Sequence, residues 1–299
     1  MKILIAGKVN DHQAVRIKEE GRKRGHLVEG AYASELVINA SLQSFEFSLR
    51  GRPIEHYDLI YFCGLYRRQW DWFLLGDYLA KKTRVVIVNK NETTNNKFWL
   101  TTTYCWEYLK QIEAGIDFPK TSMINHLNSV DYAIKDFGFP VIVKGVPSSQ
   151  GKAVFLCHTV DEIKKVVREN NFEYASFIIR EFIPNQGDIR VFIVGHKAVG
   201  AMLRQAKPGD FRNNISQGGN GRVFDLIRNP QVKKMAEDIS QITKLAIAGV
   251  DIMLHLETNK PYLLEINGSP QFEGFEKYTK INVAQKIIEY FELLVKDIN

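Results

Sequence analysis

A chain of 299 residues with 45% hydrophobic and 25% charged side chains can bury a large core and is expected to divide into two or three subdomains. No apolar run is long enough to span a bilayer, and residues 1–7 are too short for a signal peptide, so neither a membrane-spanning nor a secreted protein is expected. The formal net charge is +6, with 16 Lys+Arg against 11 Asp+Glu up to Lys97 and 24 against 23 beyond it, which places the basic excess in the first third.

That excess suits an acidic peptide, an anionic small molecule or RNA. The interleaved aromatic and basic residues of a dedicated nucleic-acid module are missing, so direct nucleic-acid binding is not expected. Arg22-Lys23-Arg24 reads as the solvated end of a helix, where cations are favoured. Cys63, Cys105 and Cys157 are odd in number, far apart and form no CxxC pair. They read as buried reduced thiols of a cytoplasmic protein, with no metal site among them.

In chain order, residues 2–7 form a buried strand, and Asn10 or Asp11 caps a helix that runs to about Arg24 and ends at Gly25. Residues 59–62 and 84–88 are continuous apolar strands of the parallel-sheet type, with an aromatic-rich helix over 66–79 between them. Gly7 is followed by Lys8-Val-Asn10 and not by G-x-G-x-x-G, so a dinucleotide site fails at its first requirement. The polar run 89–96 reads as a linker and helix cap, ahead of a helix over 97–113 that ends at Gly115. Strands are expected over 139–144, 153–157 and 177–183, with a helix over 161–170. Residues 188–194 and 198–204 make a hairpin around Gly195-His196-Lys197. A glycine-rich loop over 209–219 precedes a helix over 230–248. An amphipathic helix over 282–297 closes the chain, with Val283, Ile287, Ile288 and Phe291 on one side.

Two apolar runs near the end carry the chemistry. Leu264 and Ile266 flank Glu265, so strand alternation places Glu265 and Asn267 on one face. A turn through Glu257-Thr258-Asn259 folds this run back on Gly249-Val-Asp251. With a loop of about three residues Asp251 falls opposite Glu265 on the same face; a loop one residue shorter sends it to the other side. Oxygen ligands gathered in this way suit magnesium. Read alone, the same residues also fit a solvent-facing hairpin with scattered acids, the lesser alternative.

Lys144 ends an apolar strand just before Ser148-Ser149-Gln150-Gly151, a setting in which an ammonium and a flexible loop close on phosphate. Lys97, just after the polar run, is a second candidate cation. Arg204 at a strand end and Arg212 in the glycine-rich loop could neutralise a phosphoryl group. Taken singly, each of these is also an ordinary snorkelling or solvated surface residue.

The order of these parts is informative. Phe-Pro-Val-Ile-Val-Lys144, Arg180-Glu-Phe-Ile183, Asp188-Ile-Arg190, Arg204-Gln-Ala-Lys207 and Gly209-Asp-Phe-Arg-Asn-Asn214, taken together, resemble the ATP-grasp superfamily. Gln217-Gly-Gly219, Gly-Val-Asp251 and Glu265-Ile-Asn267-Gly-Ser-Pro narrow the resemblance to its RimK-like branch, which holds the ribosomal-protein glutamate ligase and the carrier-protein ligases of lysine and arginine synthesis. The implied fold is α/β (α+β), an ATP-grasp fold behind a Rossmann-like pre-ATP-grasp domain. The implied boundaries are 1–95 for that domain, 96–183 for the central subdomain with its phosphate-covering loop, and 184–299 for the subdomain with the magnesium hairpin.

The resemblance also implies roles. Lys97 and Lys144, with the loop Ser148, Ser149, Gln150 and Gly151, would bind ATP phosphates. Arg180, Glu181, Phe182 and Ile183 would line the adenine slot, and Asp188 would reach the ribose. Arg212, Asn213 and Asn214 would approach the γ-phosphate, and Arg204 would steady the acyl phosphate. Asp251, Glu265 and Asn267 would hold two Mg2+ ions, which Mn2+ could replace. The implied reaction is ATP-dependent amide formation through an acyl phosphate, adding an amino acid, glutamate first, to a peptide or protein terminus. An acidic terminus would suit the basic first third, and a homo-oligomer is compatible with the resemblance. The alternatives are a carrier-protein ligase and a non-catalytic nucleotide-binding protein. Gly151-Lys152-Ala153 stands where Gly-x-Gly is common, Gln271 replaces a usual glycine, and Cys63-Gly-Leu-Tyr-Arg67-Arg68 replaces a Pro-Arg turn. Acceptor recognition therefore does not carry over.

Overall fold

The computed structural model describes residues 1–65, 69–90, 102–146, 153–171, 176–206 and 220–297, without the side chains of Gln69 and residues 102–107. Lys97, Ser148, Ser149, Gln150, Gly151, Arg212, Asn213 and Asn214 lie outside the described residues, as do Arg67 and Arg68. Among the described residues no helix is long and apolar enough to cross a membrane.

The chain opens with β1 (Lys2–Ala6), α1 (His12–Lys23) and β2 (Leu27–Ala31). Asp11 caps α1 by accepting a hydrogen bond from the Ala14 amide at 2.9 Å, which satisfies one of the helix's orphan donors. Gly21 lets α1 settle on β2, because a Cβ there would lie 2.3 Å from a Val28 methyl. An antiparallel sheet of β3 (Leu36–Ala40), β4 (Phe45–Leu49) and β5 (Arg52–Pro53) follows. Then come β6 (Leu59–Phe62), α2 (Gln69–Lys82) and β7 (Val86–Val88). The main sheet of this part is parallel, in the order β2-β1-β6-β7. The second helix ends at Lys82 and not at Leu79, and the strand begins at Val86 and not at Arg84.

The middle of the chain contains α3 (Thr102–Glu113), β8 (Thr121–Ile124), the short α4 (Val130–Ala133), β9 (Val141–Val146), β10 (Val154–Cys157), α5 (Val160–Asn170) and β11 (Ser176–Glu181). Its antiparallel sheet runs β10-β9-β11-β8. Alternation splits that sheet. Val141, Val143, Phe177 and Ile179 are buried in a core with α5, which leaves Ile142, Lys144 and Arg180 on the opposite face.

The last part holds β12 (Asp188–Val194), β13 (Lys197–Gln205), β14 (Asn220–Val223), α6 (Pro230–Thr243), β15 (Ile247–Leu254), β16 (Pro261–Asn267), α7 (Glu273–Thr279) and α8 (Val283–Lys296). Its sheet, β14-β13-β12-β15-β16, is antiparallel throughout. The helix expected over 230–248 stops at Thr243, where Lys244 turns left-handed (φ 55°). The apolar run that follows leads into strand β15, so residues 245–248 do not continue the helix. One face of the sheet packs Ile189, Val191, Ile193, Val250 and Ile252 against Val232, Ala236 and Ile239 of α6.

On the other face, Phe192 and Met202 join Phe275, Ile287, Ile288 and Phe291 in a core shared with Ile3, Ile5, Ile17 and Tyr61. The first and last parts of the chain are thus packed into one hydrophobic core. A polar seam runs beside it: Arg16 reaches Glu276 and Asn282, and Arg24 and His26 both reach Glu292. The hydrogen bond from Arg24 brings the Glu292 carboxyl down to about 2, below its ordinary 4.5. A depressed carboxylate stabilises the fold above its unfolded value and loses that contribution as pH falls through its folded value. Glu292→Gln should therefore melt at a lower temperature than wild type at pH 7, and the gap should narrow as pH falls from 4.5 towards 2. A gap that stays constant in a thermal-denaturation pH series would show that the pairing does not stabilise the fold.

Candidate active site

The hairpin of β15 and β16 pairs Asp251 with Glu265, and Gly249 with Asn267. The route to that register differs from the expected one. Leu254 pairs with Pro261, leaving the even-numbered loop 255–260, which by strict alternation would set Asp251 opposite Leu264. A bulge supplies the missing residue. Leu264 is the extra residue between Glu265, which pairs with Asp251, and Leu263, which pairs with Ile252. The bulge, and not a three-residue turn, brings the two carboxylates to one face.

Across the same sheet, charges of opposite sign are in register. Asp188 on β12 pairs with Arg204 on β13, and Arg190 pairs with Asp251 on β15. The Arg204 guanidinium donates to Asp188 and lies 2.9 Å from Asp251 Oδ2. Arg190 grips the same carboxylate with two donors, Nε to Oδ1 and Nη2 to Oδ2, the latter at 2.7 Å. Asp188, Arg204 and Asp251 are buried, so these are ion pairs in low dielectric, where losing one member strands the others. Burial pushes the Asp188 carboxyl up, to about 6, with Arg204 opposing and Asp251 reinforcing the shift. Burial acts in the same direction on Asp251, but the two guanidiniums outweigh it and hold that carboxyl at about 2. Arg190 appears in the sequence only as a motif letter. Its two-residue spacing from Asp188 was the available signal that both lie on one face.

The middle sheet faces this row. Lys144 Nζ lies 3.9 Å from Glu265 Oε2, and Arg180 Nη1 is 3.5 Å from the carbonyl of the bulged Leu264. Arg180 also donates to the Tyr108 hydroxyl at 2.6 Å. At the end of β11, Glu181 is tied to Lys120: its amide donates to the Lys120 carbonyl, and its Oε2 accepts from the Lys120 amide. Phe182 is half-buried and Ile183 buried, with the Ile183 carbonyl accepting from Asn185 Nδ2 at 2.6 Å. Asp188, expected near a ribose, is buried against Arg204, and its Oδ1 has no hydrogen-bond partner among the described residues.

The donors fit a hard divalent cation in kind: two carboxylates and an amide oxygen, with Glu265 partly exposed. Arg204 retains Asp188 as a partner when Asp251 turns to a cation, so ligation need not leave that guanidinium unpaired. Among the described residues no three His, Cys, Asp or Glu side chains cluster, so the set depends on Asn267 as its third member. Cys63 and Cys157 are buried, unbridged thiols.

Comparison with known proteins agrees with this layout. A "Probable alpha-L-glutamate ligase" of Pseudomonas fluorescens (strain Pf0-1) is 28% identical over 290 residues, covering 93% of this chain and 90% of that protein. The ATP-grasp ligase PsnB, solved with a minimal precursor, Mg and ADP, superposes with a TM-score of 0.72 at 16% identity, covering 98% of each chain. The macrocyclase MdnC, bound with precursor peptide MdnA from Microcystis aeruginosa MRC, gives 0.69 at 14% identity, covering 99% of this chain and 100% of that one. The RimK-like ATP-grasp domain matches residues 103–291, a span that takes in every strand of the middle and last sheets together with the paired charges between them. On that match the chain belongs to the RimK-like ATP-grasp family and is an ATP-grasp ligase.

Proposed function

We propose that the protein joins the amine of an amino acid, glutamate first, to a carboxylate of a peptide or protein, using ATP and magnesium. The observation that carries this reading is the meeting of the two sheets. Lys144 of the middle sheet stands within 3.9 Å of Glu265, beside Asp251 with its two guanidiniums. Cations and oxygen ligands face each other there, as a triphosphate with its metal requires. Glutamate is favoured because the curated relative aligned along 93% of this chain carries the name of a glutamate ligase.

In this reading Asp251, Glu265 and Asn267 would hold two magnesium ions, which would supply charge neutralisation on the phosphates. Lys144, with Lys97, aligns the phosphates. Glu181, Phe182 and Ile183 border the base, and Arg212, Asn213 and Asn214 approach the terminal phosphate. The acceptor carboxylate attacks the γ-phosphorus, ADP departs and an acyl phosphate forms. The amine then attacks the acyl carbon, phosphate leaves with the C–O bond electrons, and the amine proton passes to solvent. Arg204 and Arg190 steady the negative charge that develops. The protein's contribution is alignment, charge neutralisation and exclusion of water from the acyl phosphate. Neither step needs a side-chain nucleophile.

ADP release measured for each amino acid, alone and with acidic peptides, tests the reading when followed by product mass. Release that requires both glutamate and a peptide, with a mass gain of added glutamate, is expected. Release independent of any amine, or none across the whole set, would overturn it.

A further inference from the structure

Asn89 heads a polar run that reads as a linker and helix cap, yet it is 3% exposed and left-handed (φ 56°), a backbone state that asparagine tolerates better than most residues. Its side-chain amide makes three hydrogen bonds. Nδ2 donates to the Ile247 carbonyl at 2.7 Å and to the Gly268 carbonyl at 3.1 Å, and Oδ1 accepts from the Ile247 amide at 3.0 Å. Turning the amide over would set donor against donor and acceptor against acceptor, so these partners fix its orientation.

The partners matter because of what they adjoin. Ile247 is the first residue of the strand that carries Asp251, and Gly268 directly follows Asn267 at the end of the strand that carries Glu265. Asn89 therefore joins the two strands of the hairpin from outside their own ladder, and does so from the carboxyl end of β7. A second tie comes from the end of β6, where Cys63 Sγ lies 3.3 Å from Ser269 Oγ. The Ser269 amide in turn donates to Asn267 Oδ1 at 2.9 Å. On the far side the loop presses on the charged row. A Cβ on Gly249 would lie 2.8 Å from the Pro270 ring and 3.0 Å from Arg190, which holds Asp251. A shift of residues 268–270 would thus reach both Asn267 and the Arg190–Asp251 pair.

We propose that Asn89 is a positioning residue, through which the N-terminal sheet holds Asn267 and the loop after it in place for the divalent cation. The inference rests on the reading of Asp251, Glu265 and Asn267 as cation ligands. Its physical basis is general: groups that orient a metal's ligands from outside the coordination sphere change metal affinity by roughly 10–100-fold when removed.

The test is direct titration of Mn2+ by electron paramagnetic resonance on the full chain with ADP present, together with ADP affinity in chelator. Asn89→Asp keeps an acceptor for the Ile247 amide and loses both donors; Asn89→Ala loses all three contacts. Both should weaken Mn2+ binding about tenfold or more, with metal-free ADP affinity unchanged. Ile288→Val, in the shared core, serves as a destabilised control that should lower the melting temperature and leave Mn2+ affinity intact. Asn89 variants that lose melting temperature yet bind Mn2+ as wild type does would overturn the proposal and leave the residue a purely structural clamp. Glu265→Gln in the same titration separates the two layers. Unchanged Mn2+ binding there would remove the ligand assignment itself, whereas weakened binding there with intact binding in both Asn89 variants would remove only the positioning role. Should Asn89→Ala fail to fold, the isosteric Asn89→Asp decides the outcome.

Discussion

Glu265→Ala should abolish glutamate-dependent ADP release while the melting temperature stays close to that of wild type. The two effects separate because Glu265 is partly exposed and Lys144 Nζ, its ion-pair partner among the described residues, stands 3.9 Å away, so its contribution to the fold is that of a weak ion pair, about 0–1 kcal/mol. Asp251→Ala should also abolish turnover, but at a structural cost. It would leave the Arg190 and Arg204 guanidiniums facing each other without the carboxylate they share, and breaking a buried pair of this kind costs about 3–5 kcal/mol. Asp251→Asn keeps the shape and softens that penalty, which makes it the better probe of ligation. Turnover and melting temperature measured together for the three variants check the claim. Near-normal turnover in both Glu265→Ala and Asp251→Asn would end the assignment of these residues as metal ligands.

Lys144→Ala should weaken ATP binding by about 1.5–3 kcal/mol, the scale for losing a hydrogen bond to a charged group, or roughly tenfold to a hundredfold in affinity. The geometry supports a specific effect. Lys144 lies on the face of β9 opposite the packed Val141 and Val143, so its removal opens no cavity in that core. Isothermal titration with a non-hydrolysable ATP analogue and magnesium measures the change. An unchanged dissociation constant would exclude Lys144 from phosphate binding, and a large loss of melting temperature would point to a packing role instead.

The two predictions differ in how much they owe to the sequence. Both carboxylates and the lysine were legible as candidates, because alternation along a strand is a local property and three-residue motifs declare their face. Their consequences for stability were not. Whether Asp251 stands alone or between two guanidiniums depends on the pairing of β12 with β13 and β15, which no local pattern records. The same holds for Asn89. Its polar neighbours argue for solvent, and only the packing of the last sheet against the end of β7 buries it.

Read from the chain alone, this protein has a parallel N-terminal sheet, an amphipathic closing helix with Val283, Ile287, Ile288 and Phe291 inward, and an acidic hairpin late in the sequence. All are set by residues a few positions apart, where sterics and periodicity act directly. The end of the helix at Thr243 was beyond that reach, since a short apolar run fits helix and strand equally until a partner strand claims it. The bulge at Leu264 also required the folded sheet. A change of one residue in register reverses every face; the loop 255–260 by itself would set Asp251 opposite Leu264, and only the bulge within the paired sheet brings Asp251 to Glu265. Local chemistry chose the ligands, and long-range pairing decided which of them stand together.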